Sequence, residues 1–186
     1  MWVRCVGGLW ILFVTVWVIA AFTARKTVKK EPSLSRLRYL LIAASGAVLL
    51  QPGILRVPAL DVHFAEGDVW GAVGVALTAG GIAFAFWARY TLGKNWSGTV
   101  TIKEDHELVQ KGPYALSRHP IYTGALVALT GSALTIGTPR IMLALPFALF
   151  AFIRKSSVEE RFMSEHFGQA YTDYTKRVKR LVPFVW

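Results

Sequence analysis

Residues 7–24 read GGLWILFVTVWVIAAFTA, a run without a single charged side chain. An α-helix needs about 20 mostly apolar residues to cross the hydrocarbon core of a bilayer, fewer where flanking side chains snorkel. Four more apolar runs follow, at residues 37–50 (extending toward Leu55), 69–88, 121–136 and 141–153. The last two are short and flank Gly137, Thr138 and Pro139, a sequence that reads as the turn of a tight helical hairpin. Backbone polar groups facing lipid have no water to bond, so only helices or closed barrels span a membrane. No alternating ten-residue pattern supports a barrel. The expected fold class is therefore all-α: a polytopic membrane protein with about five transmembrane helices and a cytoplasmic C-terminal helix. Strands are not expected.

Composition agrees. Of 186 residues 54% are hydrophobic and 17% charged, a balance too apolar for a water-soluble domain of this size. The first run is long for the apolar core of a signal peptide, and Phe22-Thr23-Ala24 is a poor small-residue cleavage site, so the run reads as a retained span.

Five spans sort the 21 Lys and Arg residues sharply: Arg4, Arg56 and Arg140 fall on one face and all the others on the opposite one, counting Arg89 and Arg118 at span ends. The excess of Lys and Arg on cytoplasmic loops then predicts an outside N-terminus and a cytoplasmic C-terminus. A net charge of +10 is met by anionic inner-leaflet lipid, and nothing specific to nucleic-acid binding is present. Nothing points to a protein partner. The single cysteine, Cys5, excludes an intramolecular disulfide and a cysteine metal cluster, and no metal site is expected. The C-terminal Phe184-Val185-Trp186 carries no prenylation box. With no internal repeat, the chain reads as one membrane domain, with N-terminal spans and outer loop in residues 1–68 and the part that holds the candidate functional residues in 69–186.

The hydrophilic segments are unequal. Residues 27–35 read as a short basic loop and 51–68 as an outer connector with Pro52, Pro58, Asp61, Glu66 and Asp68. Residues 90–117 form a long inner segment, and loops of that length are often functional. In the tail, the helix of the fifth span is expected to continue out of the membrane to Phe167 and break at Gly168. A second short helix follows from Gln169 to Lys179, with Tyr171, Tyr174 and Val178 on one face, placed to lie at the headgroups.

Three clusters carry chemistry. The densest is Lys111-Gly112-Pro113-Tyr114-Ala115-Leu116-Ser117-Arg118-His119-Pro120-Ile121-Tyr122-Thr123-Gly124, where the long inner segment meets the fourth span. Pro120 suits the first helical turn, and Ser117 or His119 the N-cap. Arg118 and His119 share a face with Tyr122, and the helix N-terminus offers N–H groups to an anion. The bland alternative is a set of headgroup anchors. The second cluster is Glu159 and Glu160, about 100° apart on a helix, so that one faces inward and the other solvent. The third set is Arg89, Lys94, Asn95, Trp96 and Ser97, just after the third span; Arg89 stands where the span meets water, placed to clamp a carboxylate or simply to snorkel.

Gly112-Pro113-Tyr114 followed by Arg118-His119-Pro120-x-Tyr122-x-Gly124 resembles the isoprenylcysteine carboxyl methyltransferase family and the related phospholipid methyltransferases. The resemblance extends from Arg89 to the C-terminus. It takes in Leu92-Gly93-Lys94-Asn95-Trp96, Glu159-Glu160, Phe167-Gly168-x-x-Tyr171-x-x-Tyr174 and Arg180-Leu181-Val182-Pro183. It implies a membrane enzyme using S-adenosylmethionine without a Rossmann fold, and this chain has no Gly-x-Gly strand-to-helix fingerprint. It also implies that Tyr114, Arg118, His119, Pro120, Tyr122 and Gly124 line the cofactor site and that Glu159 or Glu160 closes it. Arg89 would hold the substrate carboxylate. Nothing carries over to the N-terminal half.

Methyl transfer to a carboxylate needs alignment and exclusion of water rather than a base. An amine acceptor, as in lipid N-methylation, would need one, and His119 is the natural candidate. The expected acceptor is a hydrophobic or lipid-like molecule, entering from the bilayer. Rival readings are a sterol-reductase-like protein using a nicotinamide cofactor and a non-catalytic scaffold or transporter; the paired glutamates and intact Gly-Pro-Tyr favour the methyltransferase.

Overall fold

The computed structural model describes residues 1–22, 26–49, 57–65, 67–104 and 106–185. The expected span ends at Ala24 and at 50–55, and Pro52, Arg25, Arg56, Glu66 and Trp186, lie outside the described residues. Six α-helices make up most of what is described: α1 (Trp2–Ala21), α2 (Ser33–Leu49), α3 (Asp68–Leu92), α4 (Pro120–Ile136), α5 (Pro139–Phe167) and α6 (Gln169–Arg177). Three segments are long and apolar enough to cross a membrane: α1, α3 with the turn that follows it (Asp68–Asn95), and α5. α4 is apolar but 17 residues long, and α2 has the same length. The chain is an integral α-helical membrane protein.

Helices α1 to α5 alternate in direction. Trp2 donates from its indole to Asp68, the first residue of α3, at 2.8 Å. Nearby, Asp61 takes a two-point bond from Arg140 at the start of α5 (2.7 and 2.9 Å), and Gly137 accepts from the Phe64 amide at 2.8 Å. At the other end stand Trp17 of α1, Tyr39 of α2, Leu92 of α3 and Ile121 of α4. Lys155 of α5 lies 5.7 Å from the Tyr39 ring. Residues of α1, α3, α4, α5 and α6 wall one cavity at this end.

The α3–α4 pair is the tightest in the molecule because it meets through small residues. A Cβ at Gly124 would stand 2.6 Å from Gly81 O and 2.9 Å from Ala85 N, and one at Gly81 would stand 2.5 Å from Gly124 O. Close backbone approach of this kind substitutes for hydrophobic driving force in lipid. α4 and α5 are joined at Gly137 and Thr138 as the turn residues suggest, but α4 packs chiefly on α3 and α5 chiefly on α2, so they are not an isolated hairpin.

Two expectations are corrected outside the bilayer. The basic loop and the long inner segment pair as a two-stranded antiparallel sheet, β1 (Thr27–Lys30) with β2 (Thr101–Lys103). Neither strand has an apolar alternation to announce it; pairing satisfies backbone groups that the nearby packing would otherwise leave dry. Helix α5 does run on to Phe167 and break at Gly168, whose φ of +53° suits glycine. The apolar face of α6 is not free for the bilayer: Tyr171, Tyr174 and Val178 are buried against Leu108, Met163 and Phe167 of the protein itself.

Candidate active site

The C-terminal segment builds the site by lying across the start of α4. Ser117 and Lys179 form a parallel bridge; the Arg118 amide donates to Lys179 O at 2.8 Å and the His119 amide to Arg180 O at 3.1 Å. Thr123 Oγ1 donates to Leu181 O at 2.6 Å, and Tyr174 OH to Tyr114 O at 2.6 Å. His119 is the N-cap residue and Pro120 the first residue of α4, as their chemistry suggests. The amides of Arg118 and His119 are already taken by the tail, so they do not form an open anion site.

Glu160 is the centre of a buried ion cluster. Arg118 reaches its Oε1 with Nε (2.8 Å) and Nη2 (2.7 Å), and Arg180 binds Oε2. The remaining Arg118 donor goes to the carbonyls of Val178 (2.6 Å) and Thr175 (3.3 Å). Arg118 thus ties tail to α5. Glu159, one residue earlier, accepts from the Tyr122 hydroxyl. The expectation that one of the two glutamates faces solvent is corrected: the tail covers the side of α5 that an isolated helix would leave wet.

His119 sits between them. Its Nδ1 is 3.2 Å from Glu159 Oε2 and its Nε2 is 3.2 Å from Glu160 Oε1. Two carboxylates facing both nitrogens require both to be donors, the imidazolium form. Burial works against that charge, but the hydrogen bonds and charges of Glu159 and Glu160 outweigh it and hold the pKa above the ordinary imidazole value. The ring is stacked in series with Tyr122 (5.6 Å between centroids) and Phe152 (4.8 Å beyond).

This assembly forms one wall of a cavity of about 200 Å³. Tyr114, Arg118, His119, Tyr122 and Glu159 line it; Pro120, Gly124, Glu160 and Arg89 lie behind its walls. Gly124 is spent on the α3–α4 contact. Arg89 donates to Gly93 O at 2.8 Å and Ala20 O at 2.6 Å and lies 4.5 Å from the Trp96 ring, so it braces the turn carrying Asn95 and Trp96. Burial, with the charge of Glu159 beside it, pushes the Tyr114 hydroxyl well up, and it stays neutral.

Other lining residues had no sequence signal. Lys155 stands 5.4 Å from the Tyr122 ring and donates to Gly98 O at 3.1 Å. In the sequence it is one more base at the inner end of a span. Trp17 comes from the N-terminal half, where apolarity hides it, and Thr101 from the long inner segment, whereas Asn95 and Trp96 stand in the Leu92–Trp96 stretch that the sequence marks.

Residues 69–170 match the sequence profile of the phospholipid methyltransferase family, and the chain belongs to that family. Among its relatives is protein-S-isoprenylcysteine O-methyltransferase B of Arabidopsis thaliana, 32% identical over 101 residues that cover 53% of this chain and 51% of the relative. A probable protein-S-isoprenylcysteine O-methyltransferase of Oryza sativa subsp. indica is 27% identical over 89% of this chain and 86% of its own. The solved structure of a eukaryotic intramembrane Ras methyltransferase, an isoprenylcysteine carboxyl methyltransferase, superposes with a TM-score of 0.57 at 27% identity, covering 80% of this chain and 53% of that one. The chain thus spans about half the length of the Arabidopsis relative and of the solved structure.

Proposed function

We propose that this chain is a membrane-embedded, S-adenosylmethionine-dependent methyltransferase that methylates the carboxylate of a hydrophobic, isoprenylcysteine-like acceptor. The observation that carries the choice of acceptor is His119, held through both nitrogens by Glu159 and Glu160. An amine nucleophile must be deprotonated, and the histidine best placed to do so has both ring nitrogens engaged by carboxylates. A carboxylate nucleophile needs no base.

The residues present suit the cofactor. S-adenosylmethionine supplies an electrophilic methyl group on a sulfonium. Trp17, Trp96, Tyr114 and Tyr171 line the cavity with aromatic faces that favour a cation or a purine. Glu159 can accept from hydroxyl groups. Lys155 is the lining cation placed to meet the acceptor carboxylate, with Arg89 supporting the wall from behind Trp96. The stacked His119, Tyr122 and Phe152 hold that wall rigid, which serves alignment. The N-terminus lies outside and the cavity faces the cytoplasm, where the cofactor is dissolved; the acceptor's apolar chain enters from the bilayer.

Lipid N-methylation is the second reading, favoured by the family's own description. The two separate chemically. Membranes containing the protein are incubated with methyl-tritiated S-adenosylmethionine, an S-isoprenylated cysteine and phosphatidylethanolamine. Label that alkali releases as methanol supports the carboxylate ester. Alkali-stable label in the phospholipid overturns it in favour of the amine.

A further inference from the structure

Among the residues that line the cavity, Asn95 and Thr101 each carry a buried polar atom, Oδ1 and Oγ1, with no hydrogen-bond partner among the described residues. Both residues line the cavity, and they are 9% and 6% exposed. Buried polar atoms in folded proteins are nearly always paired, with protein, ordered water or ligand. The polar groups across the cavity are bonded to one another, His119 to Glu159 and Glu160 and Tyr122 to Glu159. The unpaired capacity is therefore concentrated on the Asn95–Thr101 side.

Both positions are held firmly. Asn95 ends the 3-10 turn Gly93–Asn95, whose Gly93 carbonyl is bonded by Arg89 at 2.8 Å. Thr101 stands in β2, its backbone paired with Lys30 of β1. Just before it, Val100 is clasped by Glu31: the Val100 amide donates to Glu31 Oε1 at 3.2 Å, and the Glu31 amide to Val100 O at 3.0 Å. The chain between the two residues is thus anchored at each end by a separate part of the molecule. An unpaired atom in a braced position is a preformed partner for something that binds.

We propose that Asn95 and Thr101 form a neutral hydrogen-bonding subsite that receives an uncharged N–H or O–H donor of a bound ligand. The subsite rests on the methyltransferase reading. The two groups are themselves uncharged, which selects the ligand group: an ion would be met by countercharge, and the lining carries its charge on other side chains, Lys155, Arg118, Glu159 and Glu107. Such a donor exists in two places, the amino and hydroxyl groups of the cofactor's nucleoside and the amide of an N-acylated cysteine acceptor.

The test uses the full chain in lipid nanodiscs, with Asn95→Ala, Thr101→Val and, as the hydroxyl-retaining control, Thr101→Ser. Calorimetry gives the affinity for S-adenosylhomocysteine, and initial rates give the KM for an N-acetylated S-isoprenylcysteine. Asn95→Ala and Thr101→Val are each expected to weaken the same one of these by about tenfold, the size of one lost buried hydrogen bond, with Thr101→Ser near wild type. A weaker S-adenosylhomocysteine assigns the subsite to the nucleoside; a raised KM alone assigns it to the acceptor. Variants with both quantities unchanged mean that water alone fills the place, and variants that affect different ligands mean there is no single subsite; either result overturns the proposal. Should Asn95→Ala fail to fold, the isosteric Thr101→Val decides alone. A wild type that neither binds S-adenosylhomocysteine nor transfers methyl overturns the functional reading along with the subsite. A working wild type with silent variants overturns only the subsite.

Discussion

His119 and Glu160 illustrate how the same side chain changes meaning with its neighbours. As a lone histidine at a helix start, His119 is a plausible base; between two carboxylates both its nitrogens are engaged and its charged form is favoured. Its folded pKa stands above the ordinary value of about 6.5, so its stabilising contribution is complete below that value and is lost as pH rises through the raised one. The wild type should therefore lose more unfolding temperature than His119→Gln between mildly acidic and alkaline pH, as measured by thermal unfolding in detergent. Its kcat/KM should show no gain that tracks imidazole deprotonation; such a gain would restore His119 as a base. Glu160→Gln removes the charge that Arg118 and Arg180 share. Breaking a largely buried pair from one side leaves an uncompensated charge, and we expect a loss on the order of 2 kcal/mol in unfolding free energy. Trypsin should then cleave faster near Arg177, because the tail is tied down through that carboxylate.

Among the elements, the α3–α4 contact and the β1–β2 pairing do different work. Small residues let α3 and α4 approach closely, and the Leu92 and Ile121 ends of these helices flank the cavity. Gly124→Val forces methyl groups against the backbone of α3, where nothing can yield without separating the helices. We expect a loss of about 2 kcal/mol and a lowered unfolding temperature, with activity falling in parallel. The sheet positions the cavity's outer wall instead, and Glu31 ties it to α2 through Tyr39, whose hydroxyl donates at 2.5 Å. Removing that carboxylate in Glu31→Ala should speed hydrogen exchange at the Val100 amide while leaving amides in the middle of α3 slow. Equal acceleration in both places would mean that Glu31 supports the fold at large rather than this wall.

For the whole molecule the question is orientation. The basic residues predict that the cavity end faces the cytoplasm. In a Cys5→Ser background, Val62→Cys and Thr172→Cys place single exposed thiols at opposite ends. A membrane-impermeant maleimide should label the first in intact cells and the second only after permeabilisation. The reverse pattern would invert the topology and place the cavity outside, away from cytosolic cofactor.

The apolar character of the helices and the punctuation at Pro120 and Gly168 were legible in the sequence because lipid and backbone chemistry impose their demands locally. A segment is apolar enough to be buried in hydrocarbon whatever it packs against, and Gly168 or Pro120 ends or begins a helix by its own backbone chemistry. The motif residues Tyr114, Arg118, His119, Tyr122 and Glu159 do line one cavity. Which of them are bonded to one another, and which merely support the wall, is a matter of pairings between distant residues. His119 meets Glu160 across 41 positions and Glu31 meets Val100 across 69. Periodicity and composition carry no record of such encounters. The tertiary structure alone turned Glu160 inward, set Arg89 and Gly124 behind the wall, and brought Trp17 of an otherwise featureless N-terminal half into the cavity, because burial of a polar group depends on what covers it.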